Sequence, residues 1–139
     1  MAEEVGKVCQ AQTISPWFVA DDVIATAEYY RDVLGFTFDR FFGNPPVFAF
    51  VNRDKVRIAL RQTYPNKRGN SSNTSLVPDT YDTYIWVDDI AALDAELRGR
   101  KASIIEGPVD RDYNCREILV RDCNGYMIAF GQDMAPASA

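Results

Sequence analysis

An α+β chain built from two tandem β-α-β-β-β modules, their sheets curving around a shared cleft, is predicted from three observations. The first is a repeat. Ser15-Pro-Trp-Phe-Val-Ala-Asp-Asp22-Val23 returns as Asp82-Thr-Tyr-Ile-Trp-Val-Asp-Asp89-Ile90, an offset of 67 residues from Ser15 to Asp82. The second is a change of period inside each copy, from strand-like alternation to helical spacing at a double aspartate, which reads as strand, helix N-cap and helix. The third is that each copy is followed by further short strand patterns, the two series being separated by a stretch rich in Asn, Ser, Pro and Gly.

Taken in order, residues up to about Thr13 form an N-terminal arm. Ile14 to Ala20 is the first strand, with Ser15, Trp17 and Val19 on one face and Ile14, Pro16 and Phe18 on the other. Asp22 caps a helix in which Val23, Ala27, Tyr30 and Leu34 fall on one stripe, and Gly35 closes it. Thr37 to Phe42 and Val47 to Val51 read as strands separated by Gly43-Asn-Pro-Pro46. A turn over Asn52 to Lys55 leads into Val56 to Gln62, with Val56, Ile58 and Leu60 on one face and Arg57, Ala59 and Arg61 on the other. Tyr64 to Thr80 has no period and is read as the linker, so the modules span about 14–62 and 81–132 with 63–80 between them. The second module runs as strand Tyr81 to Val87, cap Asp89, and a helix with Ile90, Leu93 and Leu97 inward. Strand Ala102 to Glu106, a turn at Gly107-Pro108, strand Arg116 to Arg121, a hairpin turn at Asp122-Cys-Asn-Gly125 and strand Tyr126 to Phe130 complete it.

Composition narrows the function classes. The 139 residues make one domain able to bury a core, and no apolar run approaches the roughly 20 residues that span a bilayer. The first residues do not resemble a signal peptide, so a cytoplasmic location is expected. A net charge of −5 argues against a nucleic-acid surface. Cys9, Cys115 and Cys123 are read as reduced thiols, and the acceptor patterns at Asn70 and Asn73 as a polar loop without glycosylation. There is no histidine in the chain, which leaves Cys115 without a base and makes it an accessible thiol and not a nucleophile. The double aspartates at 21–22 and 88–89 are read as helix caps and not as a calcium site.

Two such modules, with Ala27-Glu-Tyr-Tyr-Arg-Asp-Val-Leu-Gly-Phe36 in the first helix and Val120-Arg-Asp-Cys-Asn-Gly-Tyr-Met-Ile-Ala-Phe130 in the last hairpin, resemble the vicinal oxygen chelate superfamily. That superfamily includes glyoxalase I, extradiol dioxygenases and bleomycin-resistance proteins. The resemblance covers about residues 14–132 and implies the fold more strongly than the chemistry. In its metal-dependent members, ligands lie on the first and last strands of each module. By register those positions here are Ser15, Ala59, Asp82 and Ala129, a set with one carboxylate where a divalent ion needs three or four nitrogen or oxygen donors. No metal and no other cofactor is therefore expected.

The alternation that aims Ser15 into the cleft also aims Trp17, and that of Asp82 also aims Tyr84 and Trp86, an aromatic floor suited to a flat organic molecule. The same aromatics also suit a sheet face that is simply core. Asp82 reads as a contact for a cationic ligand, as a base, or as a solvated strand-end acid. Arg57 and Arg61 read as a clamp for an acidic group or as rim residues. The expected ligand-binding set is Ser15, Trp17, Arg57, Arg61, Asp82, Tyr84, Trp86, Tyr113 and Met127, with no catalytic residue. The leading reading is metal-independent sequestration of a small hydrophobic or aromatic, including cationic, organic molecule such as an antibiotic or a metabolite, by a homodimer that closes its cleft by pairing modules. Its rivals are a lyase or isomerase with Asp82 as base and Tyr84 or Tyr113 as acid, a glyoxalase- or dioxygenase-type enzyme in the same cleft, and a regulatory module that signals ligand occupancy.

Overall fold

The computed structural model describes residues 6–67 and 71–136. Residues 1–5 of the expected arm, Arg68 to Asn70 of the expected linker, with the first acceptor asparagine, and residues 137–139 lie outside that description. Strand β1 (Trp17–Ala20) leads into helix α1 (Val23–Asp32), then β2 (Phe48–Arg53) and β3 (Val56–Gln62). A 3-10 turn at Asn73–Ser75 precedes β4 (Thr83–Trp86), helix α2 (Ile90–Gly99), β5 (Ser103–Asp110), β6 (Cys115–Arg121) and β7 (Met127–Asp133). The strands form two mixed sheets ordered β1-β3-β2 and β4-β7-β6-β5, in each of which the first strand is parallel to the last.

Both helices start where the double aspartates place them. Asp22 accepts a hydrogen bond from the N–H of Ala25 at 3.1 Å, and Asp89 from that of Ala92 at 3.0 Å, each satisfying a donor the helix itself leaves open. α1 buries Val23, Thr26, Ala27 and Tyr30, and α2 buries Ile90, Leu93 and Leu97, against the faces of their own sheets that carry Phe18, Ile58 and Leu60 or Ile85, Ile118, Ile128 and Phe130. These side chains join in a single core. Beyond α1 the chain turns at Gly35, whose φ of +76° favours a residue without Cβ. There Arg53 donates to the carbonyl of Leu34 at 2.9 Å and pairs with Glu96 of α2 at 2.6 Å, so one guanidinium joins the two modules. The Arg53 hydrogen bond holds the Glu96 carboxyl below its usual range.

Two expectations differ from what is seen. Thr37 to Phe42 is not a strand but pairs with β2 through isolated bridges, Thr37 to Asn52 and Phe42 to Phe48, and Pro45 and Pro46 just beyond have no N–H with which to extend the ladder. Gly107-Pro108 is not a turn but lies within β5, where the pairing with β6 shifts register as at a bulge. The sheets of the two modules are separate ladders, as two tandem modules imply. At the β1 edge, the main-chain N–H and C=O of Val19 both engage the Tyr126 hydroxyl at 3.0 Å, so side chains make this joint between the modules.

Candidate functional site

Each sheet buries one face against its helix and turns the other outward, and each outward face carries a group of aromatic residues. On β1 the alternation leaves Trp17 64% exposed while Phe18 is buried, and on β4 it leaves Trp86 62% exposed while Ile85 is buried.

On the first sheet, Trp17 lies beside Phe48 at 4.9 Å between ring centroids, Phe48 meets Phe50 edge-on at 4.9 Å, and the Arg57 guanidinium sits over Phe50 at 4.5 Å. Arg57 also donates to the Asn52 side chain at 2.8 Å, and Arg61 lies over Tyr64 at 5.9 Å. A hollow of about 570 Å³ opens between Phe42, Phe50 and Arg57. Ser15, at the start of this edge, is partly buried.

The second sheet is more polar at its centre. Tyr84 on β4 pairs with Ala129 on β7, and Gly131, two residues further along β7, lies opposite Glu117 on β6, so Tyr84 and Glu117 are diagonal neighbours across Gly131. Because Gly131 has no side chain, the Tyr84 ring crosses over it. A Cβ there would stand 1.8 Å from the Tyr84 oxygen. The hydroxyl of Tyr84 thereby reaches Glu117 and donates to it at 2.7 Å. Tyr113 donates to the same carboxylate oxygen at 2.8 Å, and Arg111 to the other at 2.9 Å while pairing with Glu106 at 2.7 Å. Trp86, Tyr81 and Cys115 complete a hollow of about 320 Å³ around this group.

Glu117 is fully buried. Burial pushes its carboxyl up, but the bonds from Arg111, Tyr84 and Tyr113 outweigh burial and hold it below the usual carboxylate range. The phenols move the other way. Burial and the bond to Glu117 raise Tyr84 well above an ordinary tyrosine and push Tyr113 up to about 12. At neutral pH the cluster is therefore one carboxylate facing two protonated phenols and one guanidinium. Each phenol proton is committed to Glu117, so the oxygens of Tyr84 and Tyr113 offer lone pairs to anything bound above them.

Of the expected residues, the structure brings Tyr84, Trp86 and Tyr113 together around one hollow, and Trp17, Arg57 and Arg61 onto the first sheet's face. Asp82 is engaged elsewhere. Its carboxylate accepts from the Ser72 hydroxyl at 2.6 Å, the Asn73 N–H at 2.7 Å and the Met127 N–H at 2.8 Å, which ties the linker to the start of β7. Met127 is buried and lines a hollow of about 640 Å³ beneath Pro78 to Tyr81. The positions where metal-dependent relatives carry ligands do not fit a divalent ion here. Ala59 and Ala129 have no donor side chain, and the one carboxylate, Asp82, already accepts three hydrogen bonds. Sequence reasoning did not single out Glu117, Arg111 or Gly131. A signal for Glu117 was present, since it falls on the same alternating face as Cys115 and Leu119 in a strand otherwise apolar between Cys115 and Val120 apart from Arg116.

Comparison with known proteins fits this architecture. Residues 12–130 match the family model of the Glyoxalase/Bleomycin resistance protein/Dioxygenase superfamily. No curated protein matches the sequence significantly. Among solved structures, TioX from Micromonospora sp. ML1 is similar with a TM-score of 0.69 and 17% identity, over 88% of this chain and 99% of that one. The bleomycin-binding protein of bleomycin-producing Streptomyces verticillus, complexed with copper(II)-bleomycin, is similar with a TM-score of 0.64 and 27% identity over 88% and 97%. Lactoylglutathione lyase from Agrobacterium tumefaciens is similar with a TM-score of 0.64 and 18% identity over 88% and 94%.

Proposed function

The chain belongs to the Glyoxalase/Bleomycin resistance protein/Dioxygenase superfamily, and from that premise we propose that it binds and sequesters a flat aromatic organic molecule carrying N–H or cationic donor groups, without a metal. The observation that carries this reading is the Glu117 cluster under exposed aromatic rings. Trp86 lies 4.8 Å from Tyr84 and offers a stacking surface, while the phenol oxygens beneath it accept hydrogen bonds and have no proton to give. Such a floor favours a ligand that donates and disfavours one that only accepts. Acidic charge near the hollow, Glu106 with Glu117 against Arg111, adds to the preference. The similar bleomycin-binding protein, whose structure is a complex with copper(II)-bleomycin, supports small-molecule binding on this fold. Neither Glu117 nor Asp82 is poised as a general base. Glu117 is held below the usual range, and Asp82, the candidate base, is occupied by three donors. This favours binding over the lyase or isomerase reading.

Tryptophan fluorescence tests it. A tricyclic aromatic amine is expected to quench with a micromolar dissociation constant, and the same ring bearing a carbonyl in place of the amine to bind about tenfold more weakly. Trp86→Ala should weaken both by about tenfold, the worth of roughly one aromatic pair. Glu117→Gln lets the phenols accept from the amide and turn their protons outward, so the preference between the two ligands should narrow or reverse. Quenching by neither ligand, or unchanged constants in Trp86→Ala, would sink this function.

We propose also that the protein is a homodimer. Trp17 and Trp86 are more than half exposed on faces that a single chain leaves open, and apposing the first sheet of one subunit to the second sheet of its partner would cover both. Light scattering should give twice the 15.7 kDa chain mass at micromolar concentration, and a 15.7 kDa particle would refute it.

A further inference from the structure

The repeat makes two equivalent joints between the modules, and only one of them is filled. Trp17 pairs with Ala59 as Tyr84 pairs with Ala129, so the hairpin residues Asn124 and Tyr126 of the second module correspond to Asp54 and Val56 of the first. By the strand and helix repeat, Phe18, Val19, Asp21 and Thr26 correspond to Ile85, Trp86, Asp88 and Leu93. At the first joint Tyr126 is buried, stacked on Phe18 at 4.3 Å and 11°, with its hydroxyl on the Val19 main chain. Asn124 completes this joint, accepting from the Asp21 N–H at 3.2 Å and donating to Thr26 at 3.0 Å. At the second joint the corresponding residues, Val56, Asp54, Ile85, Trp86, Asp88 and Leu93, line a cavity of about 420 Å³ instead. The Arg53–Glu96 pair also lines it, and Phe36 and Phe130 add to its apolar wall.

We propose that this second joint is a binding site for a monocyclic phenol, separate from the aromatic sheet faces. The chain itself supplies the argument, because at the equivalent place it lodges a phenol of its own. Val56 is three side-chain heavy atoms where Tyr126 has a ring and hydroxyl, so the cavity includes the space that a ring at this position would fill. A phenol entering here would place its ring between Val56, Ile85 and Leu93, as the Tyr126 ring lies on Phe18. Its hydroxyl would lie toward the Trp86 main chain and the rim carboxylates of Asp54 and Asp88, all of which can accept its proton. The helix side of β4 forms the inner wall, and Trp86 is the residue the site shares with the hollow in which Tyr84 and Tyr113 meet Glu117.

The test is amide-resolved NMR of the whole chain titrated with phenol itself. Saturable shifts at Val56, Ile85, Val87 and Leu93, with Trp17, Tyr113 and Glu117 unmoved, are expected. Val56→Tyr should plug the joint from within, weaken phenol binding at least tenfold and raise the melting temperature. Val56→Phe, a smaller change, should do the same with less stabilisation, and both variants should bind the aromatic amine at the sheet face as wild type does. Shifts confined to the sheet faces, an absence of saturable shifts in wild type, or undiminished phenol binding in a folded plug variant would each overturn the proposal. The wild-type map decides it alone if neither variant folds. Shifts at these amides that follow protein concentration without phenol would assign the joint to a second copy of the chain, also against the proposal.

Discussion

Replacing Glu117 by alanine is expected to lower stability by about 3 kcal/mol, near the lower end for removing one partner of a buried ion pair. Three donors lose their acceptor at once, the Tyr84 and Tyr113 hydroxyls and the Arg111 side chain, and a cavity opens at the middle of the second sheet. The loss is limited because Arg111 keeps Glu106. A thermal melt should fall by about 10 °C, at roughly 3 °C per kcal/mol for a domain of this size. The pH dependence separates charge from volume. The folded-state pKa of Glu117 lies below its unfolded value of 4.5, so the stability it contributes is present above about that pH and is lost as pH falls through the folded pKa. Glu96 acts with the same sign, and Asp122, raised by burial, with the opposite one. The alanine variant should therefore show a shallower loss of stability between neutral pH and the acid limb than wild type. An equally steep acid limb in the variant would mean that Glu117 is not the group being protonated.

Gly131→Ala is expected to be destabilising through a side chain on the neighbouring strand. The new Cβ would stand 2.4 Å from the Cζ of Tyr84 as well as against its oxygen, so the ring must leave and its bond to Glu117 is lost. Overpacking of this kind costs about 1–3 kcal/mol, and the unmade hydrogen bond about 1 kcal/mol more. The expected total is about 3 kcal/mol by urea unfolding. Because the clash is with one side chain, Tyr84→Ala should cost less in the Gly131→Ala background than in wild type, a coupling that a double-mutant cycle reads directly. Strict additivity would show that the damage is in the β7 backbone and not at Tyr84.

What was legible in the sequence followed from local rules. The double aspartates cap the helices, the apolar stripes of Val23, Ala27 and Tyr30 and of Ile90, Leu93 and Leu97 face the core, and strand alternation put Trp17 and Trp86 outward, all decided within a few residues of chain. Features decided by distant partners were not legible. The bridge at Thr37 and the bulge in β5 depend on what the neighbouring strand offers. Asp82 has the same alternation as Tyr84, and only the fold reveals that Ser72 and Asn73 reach it first. The role of Glu117, as distinct from its place in an apolar strand, was hidden for the converse reason. Alone it reads as a strand acid, and its meaning comes from Tyr84 reaching it across Gly131, a path defined by an absent side chain on a third strand.

The grip of Asp82 on Ser72 and Asn73 also changes what the long connection between Gln62 and Asp82 is as a polymer. Two bonds to one carboxylate fasten the chain part-way along, so the connection closes as two shorter loops in series. Lengthening the part before Ser72 leaves the anchor intact, and each doubling of such a loop costs only about 0.6 kcal/mol of closure entropy. Lengthening the part between Asn73 and Asp82 works directly on the anchor, and through the Met127 N–H on the same carboxylate it reaches the first residue of β7. Tolerance to insertion is therefore one-sided. The stretch nearer the first module is free to vary in length, while the stretch nearer the second is metrically tied to the strand whose register sets Gly131 beneath Tyr84.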